Sequence, residues 1–427
     1  MDRRTRRRVL AGLGAATGLA GCSGDFLRET PMPTPTSAAL SPDRRYGYTH
    51  VQPSGNRVLD GAGSIHDTNP VTVETESRPL WIVALPGEAG SLWTVVSPTG
   101  DATTYRVTDG EATELNAHRS LPGGAPPVSY SAEGGPSLLR GGGATASRTH
   151  PVVSESGVLS IAGDGDLVLR AESGTQRFPI AAPRDGRIVH VTGSEYAVLG
   201  DVTTRYKHGA LGNRVEGSSL VIFDASVPGV TVRTQVGPPE VVEGLAPIAA
   251  DLDGDGEQEL ILTVADSENG ARIAVYGRDG RRQASGPLYG PGWRHQLAVA
   301  LFSGAGPELA VTRKPHVDHV VEFYRLDGGS LSVVAEYPNV QTHTYGSYNA
   351  DQALAADLDG DGTVELLVPV VDQDVLVGVE RTGDGATTDW RLSLDRPLTS
   401  NLAGVTLPDG RLAVGAGTDR GLRVWQG

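Results

Sequence analysis

Residues 251–260 read "DLDGDGEQEL", and residues 357–366, which start 106 positions later, read "DLDGDGTVEL". Laid over each other, the two stretches belong to a longer unit, "PIAADLDGDGEQELILTVADSENGARIAVYGRDGR" from Pro247 and "QALAADLDGDGTVELLVPVVDQDVLVGVERTGDG" from Gln352. Each reads as apolar strand, acidic loop, apolar strand, Asp-rich turn and apolar strand. Between them "QLAVALFSGAGPELAVTRKPHVDHVVEFYRLDGG", from Gln296, keeps the strand rhythm. Its loop is one residue shorter and has lost every aspartate, retaining only Glu308 at the place of Glu259. The unit therefore recurs about every 50 residues, the length of a four-stranded propeller blade.

Working outward, the same rhythm continues less clearly over residues 78–107, 150–180, 187–236 and the C-terminal "LAGVTLPDGRLAVGAGTDRGLRVWQG". The chain has 57 Gly and 28 Pro among 427 residues and no long segment of clean helical periodicity after its first 21, so short strands and turns must make the fold. The expectation is an all-β propeller over residues 43–427 with seven blades of about four strands, six or eight being the alternatives. A strand from residues 43–60 is expected to complete the last blade. The rival architecture is a β-sandwich joined to a short repeat domain, with the Gly/Pro/Ser-rich residues 110–150 as linker.

Aspartates at alternate positions of a tight loop, with glycines for the turn, aim several carboxylates at one point. Calcium needs roughly six to eight such oxygens at about 2.3–2.6 Å. Two Ca2+ sites are expected: Asp251, Asp253, Asp255, Glu259 and the carbonyl of Glu257 form the first. Asp357, Asp359, Asp361, Glu365 and the carbonyl of Thr363 form the second. An EF-hand needs Glu at position 12 between helices, whereas Leu262 and Val368 stand there between strands. The closing acid at position nine resembles the FG-GAP, or VCBS-type, repeat of integrin-like β-propellers, and the resemblance covers residues 244–397. It implies that calcium staples hairpins within blades. The loop ending in Glu308 should bind none, so the acidic loops read as structural and function is expected elsewhere.

Thr5-Arg6-Arg7-Arg8-Val9-Leu10 fits a twin-arginine signal, and Leu19-Ala20-Gly21-Cys22 resembles a lipobox. Cys22 is the only cysteine, which excludes disulfides within the chain and makes it the expected lipidation site. Residues 1–21 thus read as a lipoprotein signal and 22–42 as a Pro/Ser/Thr-rich spacer. The expected protein is exported and held at the outer face of the cytoplasmic membrane by its lipid anchor alone. The formal charge is −15, and loss of the +4 carried by the first 21 residues takes it to −19. Such a surface repels nucleic acid. With two lysines against 34 arginines, the chain resembles secreted proteins of halophilic archaea.

In a propeller, loops alternate between the two faces of the disc, so the loops opposite the acidic ones form a second surface. That surface gathers Lys207 and His208, Trp293, Arg294 and His295, Lys314, His316 and His319, and His343, Tyr345 and Tyr348. The leading expectation is a monomeric, non-enzymatic module that binds an envelope protein or an acidic polysaccharide there. The alternative is a lyase of uronate-containing polysaccharides, in which Lys207, Arg294 or Lys314 neutralises the carboxylate and a neighbour such as His208, His295, His316, His343 or Tyr345 takes the proton. A quinone-dependent sugar dehydrogenase is a third alternative, by fold analogy alone.

Overall fold

A computed structural model describes residues 40–427 except 119, 133, 134, 144, 207, 208 and 213. The signal, Cys22 and the spacer up to residue 39 lie outside the described residues, as do Lys207 and His208. Strands form eight sheets, antiparallel except where Val58–Ala62 joins one of them, and a single 3-10 turn, Ile65–Asp67, is the only helical element among the described residues.

The sheets are eight blades around one axis. In chain order they begin with blade 1 (81–118), blade 2 (128–138), blade 3 (152–178) and blade 4 (189–235). Blade 5 (241–285), blade 6 (294–338), blade 7 (354–393) and blade 8 (398–426) complete the ring. Apolar side chains alternate along each strand, and both faces of a blade are covered by its neighbours, so every interface is a small core. Leu297, Phe323, Leu366 and Val377 fill the 6–7 interface, and Leu367, Trp390, Leu402 and Val414 the 7–8 interface. Ile82, Trp93, Ala403 and Leu422 join blade 8 back to blade 1.

The count of seven is therefore corrected to eight. The missed blade lies within the presumed linker, 110–150, which holds the last strand of blade 1 and two short strands of blade 2. Blade 2 is completed by Tyr46–Tyr48, paired inside Val128–Ala132. The closing strand also differs from expectation: Val71–Glu74, not residues 43–60, pairs with Gly421–Gln426 and zips the two ends of the ring together.

Residues 46–62 instead fill the axis. An innermost strand turns an unpaired edge toward the channel, and these edges need partners. Residues 53–57 walk from blade to blade supplying them. Pro53 O accepts from His190 N, Ser54 O from Ala249 N, Asn56 Oδ1 from Val299 N and Arg57 O from Ala355 N, at 2.8–3.0 Å. Val58–Ala62 then runs parallel to blade 7 inside Leu354–Asp357. Gly47 is needed where this segment passes blade 1, because a Cβ there would come within 2.4 Å of Ala84 O.

Candidate functional site

Each acidic loop joins the first strand of its blade to the second, as expected. Gly254 and Gly256 (φ 81° and 93°) and Gly360 and Gly362 (φ 83° and 93°) occupy the left-handed region, which only glycine enters without cost. That backbone turns N–H groups onto the acids. Asp251 accepts from Gly254 N (2.7 Å) and Gly256 N (3.0 Å), and Asp357 from Gly360 N (2.8 Å) and Gly362 N (3.1 Å). The second and third aspartates each accept the N–H two residues on, and do so in both loops. In each loop the three aspartates offer carboxylate oxygens within 4.8 Å of one another. These two trios are the only such groups of His, Cys, Asp or Glu among the described residues.

Glu259 and Glu365 are buried beside the trios, each accepting a main-chain N–H, from Leu252 (2.8 Å) and Leu358 (2.7 Å) respectively. Burial, and then the nearby aspartates, push Glu259 up to about 7 and Glu365 up to about 8. Among the described residues no Arg or Lys pairs with either. Glu257 points away, to Arg278 at 2.6 Å, which leaves its carbonyl as the group the sequence assigned. Thr363 donates its hydroxyl to Asp361 at 2.7 Å. In blade 6 the equivalent Glu308 accepts from Ser303 Oγ at 2.8 Å and is paired with Arg325 and, at 2.9 Å, with Arg381 of blade 7.

On the other face the structure brings a row of rings together. Trp293 stacks on His295 with centroids 4.4 Å apart and meets His343 edge-on at 5.2 Å. His343 Nδ1 lies 2.9 Å from His316 Nε2, and His316 touches Tyr345. The row runs from the buried His295 to Tyr345, which is 67% exposed. His343 is buried as well, and donates from Nε2 to Ser347 O at 2.7 Å. Burial holds His295 and His343 below the ordinary histidine range, His343 at about 4. Two expected open-face residues are thus interior, and so is Arg294. It is fully enclosed, beneath Tyr289 at 4.9 Å and 3.9 Å from Glu322. Lys314 lies 3.6 Å from Asp318. Tyr348 packs under the Arg148 guanidinium at 3.9 Å.

Where the axial segment reaches this face, the structure adds residues that no motif announced. Asp351, wholly buried, accepts from Arg57 (2.7 Å), Arg187 (2.6 Å) and Thr49 (2.8 Å). Burial alone would raise its carboxyl, but the Arg187 and Arg57 guanidiniums hold it well below the carboxylate range. Beside it His50 Nε2 lies 3.1 Å from His150 Nε2. Arg57 and Asp351 are 294 residues apart, so sequence spacing carries no signal for the pair.

Three solved structures match over most of the chain. A europium-containing methanol dehydrogenase matches 90% of this chain and 98% of its own, with a TM-score of 0.52 and 11% identity. BamB from Moraxella catarrhalis matches 86% of this chain and 97% of its own (TM-score 0.40, 12% identity), and BBS1N in complex with ARL6DN matches 84% and 97% (0.44, 11%). No family model and no curated protein sequence matches the chain. Sheet order and the likeness to the methanol dehydrogenase define an eight-bladed all-β propeller. At such identity the likeness defines the fold alone.

Proposed function

We propose that the chain is a calcium-stapled propeller of FG-GAP or VCBS type, serving as a ligand- or partner-binding module at the cell envelope and tethered through a lipid on Cys22. One observation carries the calcium reading. Glu259 and Glu365 are buried next to three converging aspartates with no cationic partner among the described residues, whereas Glu308, whose loop has no aspartates, is served by two arginines. A buried carboxylate needs a counter-charge. In blade 6 the protein supplies it, and in blades 5 and 7 the donor set, all hard oxygen, suits calcium.

The binding surface in this reading is the face carrying Tyr345, His316 and Lys314, away from the staples. A lyase needs an uncommitted cation beside a base there. Arg294 is enclosed against Glu322 and Lys314 sits beside Asp318, and Lys207 lies outside the described residues, so among the described residues no observation favours that alternative.

Calorimetric titration of chelator-stripped protein is expected to show two Ca2+ bound per chain. At about a hundredfold excess over Kd, each ion adds about 2.7 kcal/mol, so chelation should lower Tm by roughly 5–10 °C. No binding heat and an unchanged Tm would overturn the reading.

A further inference from the structure

The axial segment leaves a small cavity between itself and the blades, about 30 Å³ in volume and partly open to solvent. His50 and Arg57 of the segment line it on one side, and Arg187, Trp293, His295 and Gln296 on the other. Three of these side chains are over 95% buried and have a polar atom with no hydrogen-bond partner: Arg187 Nε, Trp293 Nε1 and His295 Nε2. Unsatisfied buried polar atoms are rare in folded proteins, and three around one cavity mark a place that something fills.

The chemistry of the lining selects what fills it. Arg187 Nε–H and Trp293 Nε1–H donate only. Among the described residues no carboxylate side chain lines the cavity, and two guanidiniums do. Asp351 is shared between those guanidiniums, so its single charge leaves one positive charge over. Arg57 is spent on Asp351, Gln296 O, Leu297 O and Ala350 O, while Arg187 keeps its Nε–H for another acceptor. Asp185, Glu216 and Glu243 gather on loops of the same face, but none of them lines the cavity.

We infer that this cavity is a binding site for a small monovalent anion, a halide or a carboxylate, held by Arg187 and Trp293 on the propeller axis. The ring row from His295 to Tyr345 places it beside the face proposed for binding, yet the site stands on its own donors and needs no calcium.

Bromide and formate serve as probes, in saturating calcium. Both should raise Tm saturably, and Trp293→Phe, which keeps the ring stacked on His295 and deletes one donor, should weaken that response about tenfold. A linear response equal in both proteins overturns the assignment. Should the variant not fold, crystals of the unaltered protein soaked in bromide decide: an anomalous bromine peak inside the cavity supports the site, and a cavity holding only water overturns it. With formate, carboxylate density on Arg187 and Trp293 separates a carboxylate site from one that takes halide alone.

Discussion

In blades 5 and 7 the buried glutamate at the end of the acidic loop, Glu259 or Glu365, sits beside three aspartates and turns one oxygen to a main-chain N–H. In blade 6 the glutamate at the same corner, Glu308, sits beside a serine and two arginines, and one of those, Arg381, reaches over from blade 7. The strands around all three corners are alike. What the fold keeps at this corner is therefore a buried carboxylate, and what varies is its surroundings. A guanidinium on the next blade is permanent and also clamps two blades together, while the calcium ion proposed for blades 5 and 7 would be conditional on its concentration.

The strongest way to break this comparison is to remove the carboxylate in both settings. Glu308→Gln leaves Arg381, whose side chain is 1% exposed, without its charge partner. Losing one member of a buried pair costs about 3–5 kcal/mol, and the cost should be the same with calcium or with chelator. Glu365→Gln removes a proposed ligand instead, so its cost should be about 1–3 kcal/mol in calcium and vanish once the ion is stripped. Denaturant unfolding of both variants under both conditions measures this. Equal calcium dependence in the two would end the distinction.

The same contrast explains what was legible in the sequence. The acidic loops and the strands of residues 244–397 announce themselves, because local alternation and turn chemistry dictate them. Blade 2 does not: its strands are three to five residues long, and one, Tyr46–Tyr48, comes from 80 residues upstream of its partner strand. The sequence rhythm places a strand from residues 43–60 in the last blade, closing the ring. Those residues lie on the axis because Pro53, Ser54, Asn56 and Arg57 answer the unpaired inner edges of four blades, which only the assembled ring presents. Arg294 and His295 read as open-face residues from their loop position. They are the first residues of a strand, Arg294–Ala300, and tertiary contact with Glu322 and Thr342 draws them inside.

A smaller effect sharpens the comparison between the two faces. The corners on the acidic face should respond to calcium, whereas the histidines opposite should respond to protons. Burial, and then Arg187 for His150 or His316 for His343, hold both histidines at about 4 in the fold, below the ordinary value of 6.5. Below pH 6.5 the unfolded chain takes up protons that the folded chain refuses. Stability is therefore complete above about 6.5 and is lost as pH falls toward 4. Between pH 7 and 5 the loss should be about 1–2 kcal/mol per histidine. His343→Gln removes one of these titrations while keeping an amide to donate to Ser347 O, so its stability should fall less steeply over that interval. Measured in saturating calcium, an equal slope in variant and parent would show that His343 does not couple stability to protons.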